Sequence, residues 1–150
     1  MQVADTIKDT KARLNGKEAQ NLTVLIVDDD PFNRDILKHL LRQEGFKTES
    51  FDHAVGAWQY LESGKDGHII LLDRMMPLMN GMDFIKKTKN DPRFCDIPII
   101  MVSAAAERSQ VNEGKQSGVY EYLTKPFRGK DLIAMVYHAM RHVNTDKKPH

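Results

Sequence analysis

The chain has 150 residues, 41% of them hydrophobic and 29% charged, which is enough for one compact domain with a self-sufficient core and too few for a second. With 22 Lys and Arg against 21 Asp and Glu, it lacks the basic excess that drives binding to a nucleic-acid backbone. Its single cysteine, Cys95, excludes an intrachain disulfide, and neither a secretory leader nor a membrane-length apolar run is present, which points to a cytoplasmic protein without membrane insertion.

Residues 1–21 are polar and precede the first strongly apolar run, so they read as an N-terminal extension in which Val3, Ile7 and Leu14 form only a sparse helical stripe. Val24 to Val27 is a continuous apolar run of strand length, the pattern of a strand covered on both faces. Asp30-Pro31 then supplies a cap and a first-turn proline, and Ile36, Leu37, Leu40 and Leu41 make a helical stripe that stops at Gly45. A weaker strand over Lys47 to Phe51 leads to a helix over Ala54 to Leu61. A second buried strand, Ile69 to Leu72, is followed by a helix that starts near Asn80 or Gly81 and ends before Pro92. Ile99 to Val102 repeats the buried-strand pattern, and a polar helix spans about Glu107 to Gln116. A strand near Tyr120 to Thr124 precedes a last helix from Lys130 to His142, with Leu132, Ile133, Val136 and Tyr137 inward. Residues 144–150 read as a tail. Five strands alternating with five helices predict an α/β fold, a doubly wound parallel sheet, over residues 22–143.

Open sheets of this kind bind ligands beyond the carboxyl ends of their strands. The first strand runs into Asp28, Asp29 and Asp30, the third into Asp73, the fourth into Ser103 and the fifth into Lys125-Pro126. Taken singly, each has an ordinary reading. Asp30 is best read as a helix cap, Asp28 and Asp29 serve equally as turn residues or ligands, and an isolated Lys-Pro is commonly a loop. Taken together, they converge on one rim. Two carboxylates about 4 Å apart repel by roughly 4 kcal/mol at an effective dielectric of about 20, so a cluster of Asp28, Asp29 and Asp73 calls for a cation. The side-chain donors are hard oxygens, which suits magnesium or manganese rather than zinc. A carboxylate nucleophile, a metal, a fixed ammonium and a hydroxyl are the four parts that phosphoryl transfer requires.

The segments VLIVDDD, LLDRMMPLMNGMDF, PIIMVSA and YLTKPF, in that order, resemble the receiver domain of response regulators, and the resemblance covers about residues 22–143. It implies a flavodoxin-like (βα)5 fold with strand order 2-1-3-4-5. It further implies that Asp73 is the phosphoacceptor, that Asp28, Asp29, Asp73 and the backbone carbonyl of Met75 hold magnesium, and that Lys125 pairs with the phosphoryl group. Ser103 would hydrogen-bond that group, and Tyr122 would be the aromatic switch whose ring turns inward as Ser103 moves. The Lys125-Pro126 bond would be cis. A histidine kinase or histidine phosphotransfer protein would be the donor, docking near Asn33 and Arg34, and a downstream protein target would read the 107–142 face. A stand-alone receiver is the preferred reading, with a fragment of a larger regulator or hybrid kinase and a magnesium-dependent aspartyl-phosphate phosphatase as alternatives. The six histidines are dispersed, and none is assigned to chemistry.

Overall fold

A computed structural model describes residues 21–76 and 78–143. The predicted extension over residues 1–21, save Asn21, together with Pro77 and the predicted tail over 144–150, lies outside the described residues. The elements run β1 (Thr23–Val27), α1 (Pro31–Gln43), β2 (Lys47–Phe51), α2 (Ala54–Glu62), β3 (Ile69–Leu72), α3 (Gly81–Lys89), β4 (Ile99–Ser103), α4 (Arg108–Gln116), β5 (Glu121–Thr124) and α5 (Gly129–Met140). All strand pairs are parallel and the order is β2-β1-β3-β4-β5.

The central strands β1, β3 and β4 are buried at every position, and apolar at all but Thr23 and Ser103, because both sheet faces are covered, and the period-2 alternation deals their side chains to two cores. Val24, Ile26, Leu71, Ile100 and Val102 pack with Leu37 and Leu41 of α1 and Leu132 and Val136 of α5. Leu25, Val27, Ile70, Leu72, Ile99 and Met101 meet Ala57, Trp58 and Leu61 of α2 and Phe84 and Ile85 of α3 on the other face. All four inward residues predicted for α5, namely Leu132, Ile133, Val136 and Tyr137, are buried.

Local chemistry accounts for the element ends. The Asp30 carboxylate accepts the Phe32 N–H at 2.9 Å and caps α1, with Pro31 at the helix start, where its missing donor costs nothing. Gly45, at φ 94°, then turns the chain out of the helix in a conformation that a side chain would resist. One expectation for α1 is corrected. Ile36 faces solvent, 39% exposed, while Leu40 only packs against the core edge. The inward stripe of α1 is confined to Leu37 and Leu41, because Leu40 is turned toward Gly129 at the start of α5 instead. Small shifts at other ends follow the caps: Glu107 caps α4 through a reciprocal box with Gln110, and α5 starts at Gly129 and ends at Met140.

Candidate functional site

Strand pairing brings distant residues to one place. Val27 of β1 is paired with Leu72 of β3, so the next residues in each strand, Asp28 and Asp73, emerge side by side at the sheet's carboxyl rim. Ser103 of β4 is paired with Thr124 of β5, which sets Lys125 beside the end of β4. The backbone ladder continues one step past the strands: Asp28 N–H donates to Phe51 O at 3.1 Å, Asp73 N–H to Val27 O at 2.9 Å and Lys125 N–H to Ser103 O at 2.9 Å. The side chains therefore leave from a rigid edge rather than from loose loops.

At that rim Asp28, Asp29 and Asp73 place carboxylate oxygens within 4.8 Å of one another, the one convergent group of three His, Cys, Asp or Glu side chains among the described residues. Asp28 is 2% exposed and Asp73 8% exposed, whereas Asp29 is open to solvent. Lys125 Nζ donates to Asp28 Oδ2 at 2.8 Å and to Asp73 Oδ2 at 3.4 Å. Asp28 Oδ1 accepts the Asp30 N–H at 2.9 Å, and the Arg34 guanidinium donates to the Asp28 carbonyl at 2.6 Å. Asp73 Oδ1 accepts the Met75 N–H at 3.2 Å, and the Ser103 hydroxyl accepts the Ala105 N–H at 3.2 Å. The Lys125-Pro126 peptide bond is cis.

These contacts set the protonation balance. Burial pushes the Asp73 carboxyl above its ordinary range; Lys125 opposes this, Asp28 adds to it, and the Met75 amide and Ser103 hydroxyl pull it back. For Lys125, burial alone would disfavour the ammonium, but the Asp28 hydrogen bond and the two carboxylate charges outweigh it and raise its pKa. An anionic pocket held together by one ammonium suits a hard divalent cation. All three side-chain donors are oxygens, and the exposure of Asp29 leaves coordination positions open to water or substrate oxygens.

Tyr122 is buried, and its hydroxyl donates to the Ala105 carbonyl at 2.5 Å, so the ring lies inward in this structure. A Cβ built on Gly114 would lie 2.7 Å from two carbons of that ring, so the ring occupies space that only glycine leaves free. Gly81 is similarly constrained, since a Cβ there would approach the Asp73 carbonyl to 2.6 Å. Of the methionines after Asp73, Met76, Met79 and Met82 pack against the core, while Met75 is exposed.

Several contributors escaped the sequence reading. Arg34 was expected only at a docking rim, and Arg74 was not singled out, yet its guanidinium reaches α4. His53 caps α2 by accepting the Gly56 N–H, and His68 Nδ1 accepts the Thr23 N–H at 3.0 Å. An arginine four residues after an acidic cap was a visible signal for Arg34, and His53, three residues before Gly56, is as local; His68 and Arg74 depend on neighbours far away in the chain.

A family model described as the response regulator receiver domain matches residues 24–137. Chemotaxis protein CheY1 of Helicobacter pylori is 36% identical over 107 residues, covering 71% of this chain and 86% of that protein. The phosphate regulon transcriptional regulatory protein PhoB of Escherichia coli is 36% identical over 124 residues, covering 81% of this chain but 52% of PhoB. Among solved structures, the signal receiver domain of a signal transduction histidine kinase from Syntrophus aciditrophicus matches with TM-score 0.77 and 26% identity, over 85% of this chain and 96% of that one.

Proposed function

Because this chain belongs to the response regulator receiver family of two-component systems, we propose that it is a phosphoacceptor switch in which Asp73 takes a phosphoryl group from a phosphohistidine donor. The observation that carries the reading is the meeting of Asp28, Asp29 and Asp73 within 4.8 Å, with Lys125 Nζ bridging Asp28 and Asp73.

Asp28, Asp29, Asp73 and the Met75 carbonyl would hold magnesium, with manganese as a substitute. When bound, the ion supplies positive charge that offsets the phosphoryl oxygens. An Asp73 carboxylate oxygen attacks phosphorus, the phosphorus–nitrogen bond of the donor breaks, and the imidazole nitrogen keeps the electron pair. Lys125, positioned by the end of β5, pairs with a phosphoryl oxygen on Asp73. The Ser103 hydroxyl accepts the Ala105 N–H through one lone pair and, as a donor, favours the Asp73 carboxylate; once Asp73 is phosphorylated its proton turns to another phosphoryl oxygen. That bond draws the 103–106 segment toward the site and alters the Ala105 carbonyl on which Tyr122 rests. Water later hydrolyses the acyl phosphate on the same residue, so the chain resets itself rather than turning over external substrates.

The donor is a histidine kinase or histidine phosphotransfer protein that meets the α1 end of the rim, and a protein target reads the α4 to α5 face. The domain spans residues 22–143, and its setting is the cytoplasm; no helix among the described residues is long and apolar enough to cross a membrane. A stand-alone receiver is the preferred setting, and the match to most of CheY1 is compatible with it. The matches to PhoB and to a kinase receiver favour a fused setting, and the length of the native gene decides between them. The function is tested by transfer of radiolabel from a phosphohistidine donor in the presence of magnesium. Wild type should be labelled and Asp73→Asn should not; equal labelling of both would overturn the assignment.

A further inference from the structure

Helix α4 differs from the other helices in how it is held. Gly114 is the only one of its nine residues that is fully buried, and Val111 alone adds an apolar contact with the core. A helix with so little apolar burial takes its position from polar ties. The shortest side-chain tie comes from Arg74, the residue directly after Asp73. Its Nη1 donates to the Gln110 carbonyl at 2.8 Å and its Nη2 to Glu113 Oε1 at 2.9 Å. Gln110 and Glu113 are three apart and so share one helical face, which a planar fork can grip with two donors at once.

The other end of this arm is equally constrained. The Arg74 carbonyl accepts the Gly81 N–H at 2.9 Å, and a Cβ on Gly81 would come within 2.8 Å of Arg74 Cα, so the backbone of Arg74 is wedged against the start of α3. Its side chain is 12% exposed, against 60% for Glu113. Buried stem, fixed backbone and two-point grip make Arg74 a short rigid strut between the Asp73 loop and α4. Among the described residues the other ion pair on α4, Lys115 with Glu121, is 3.9 Å long between exposed side chains and offers little restraint.

We propose that Arg74 is a positioning residue that couples the state of Asp73 to the position of α4. The inference rests on the receiver reading only for the event at Asp73; the strut itself stands on the geometry. A change at the Asp73 carboxylate alters its bond to the Met75 N–H and shifts the 73–75 backbone together with the start of α3 to which Arg74 is tied, and the strut carries that shift to Gln110 and Glu113, by a route separate from Ser103 and Tyr122.

The test is amide hydrogen exchange on the full chain, free and with magnesium plus beryllium fluoride as phosphoryl mimic, with fluorine NMR reporting the mimic bound at Asp73. In Arg74→Met, α4 amides should exchange about tenfold faster in the free chain, the scale of losing charge-assisted hydrogen bonds. The change in α4 exchange caused by the mimic should fall to less than half of the wild-type change while the fluorine signal persists. Arg74→Lys should recover part of both. Glu113→Ala, at an exposed position that the fold tolerates, should reproduce the effect more weakly. Unchanged free exchange in Arg74→Met, or a mimic response as large as wild type, would overturn the proposal; if Arg74→Met does not fold, wild-type behaviour of Glu113→Ala does the same. A wild-type chain that binds no beryllium fluoride would instead overturn the receiver reading, a separate and distinguishable failure.

Discussion

Gly114→Ala should reverse its sign depending on whether Tyr122 is present. Gly114 lies within α4 in ordinary helical backbone, so by intrinsic propensity alanine should stabilise the helix by about 1 kcal/mol. The added Cβ, however, would sit 2.7 Å from both Cδ2 and Cε2 of the Tyr122 ring, a separation that real contacts do not sustain. The ring cannot simply slide aside, because its hydroxyl is bonded to the Ala105 carbonyl and the side chain is buried. Overpacking of this kind costs about 1–3 kcal/mol, and loss of the hydroxyl bond about 1 kcal/mol more. The net expectation for Gly114→Ala is therefore a loss of about 1–3 kcal/mol. In a Tyr122→Ala background the obstruction is gone, and the same substitution should stabilise by about 1 kcal/mol, a coupling of about 2–4 kcal/mol across the cycle. Urea unfolding followed through Trp58, the single tryptophan and buried against Phe84 and Phe94, measures all four variants. A Gly114→Ala chain with Tyr122 intact and an unfolding midpoint at or above wild type would refute the packing on which this reasoning depends.

Burial lowers the pKa of His68 from its ordinary 6.5, and its Nδ1 must be unprotonated to accept the Thr23 N–H. The unfolded chain therefore binds the proton more readily, and this stabilisation is present above about pH 6.5 and lost as pH falls below it; His68→Asn, which keeps an acceptor without titrating, should flatten the decline in urea midpoint between neutral and mildly acidic pH. Asp73→Asn should raise the urea midpoint of the metal-free chain at neutral pH. Burial raises the carboxyl's pKa, so its contribution is most favourable below the usual carboxylate range and is lost as pH rises through the folded value; a lower midpoint for the variant would contradict this. Asp29→Asn should weaken magnesium binding by about tenfold or more while leaving the fold intact, since Asp29 is exposed; titration calorimetry showing wild-type affinity would remove Asp29 from the ligand set.

Much of the architecture was legible because its signals are local. Continuous apolar runs at Val24, Ile69 and Ile99 marked strands covered on both faces, and Asp30-Pro31 with Gly45 bounded α1. The polar β2, KTESF, was readable only weakly, since this edge strand buries none of its residues fully and lacks the apolar run. The site was legible for a related reason: parallel strands all end at one rim, so Asp28, Asp73, Ser103 and Lys125 could be assigned to a common edge before any contact was known.

The sequence by itself determined the period of burial, the element ends and the residue types gathered at the carboxyl edge, because each depends on neighbours a few positions away. Only the tertiary structure decided which carboxylate Lys125 approaches most closely, that Tyr122 lies inward over Gly114, and that the guanidinium of Arg34 ends on a carbonyl and that of Arg74 on α4. Long side chains have many rotamers of similar local energy, and the partner that selects among them, 39 residues away for Arg74 and Glu113, is set by strand pairing rather than by adjacent sequence.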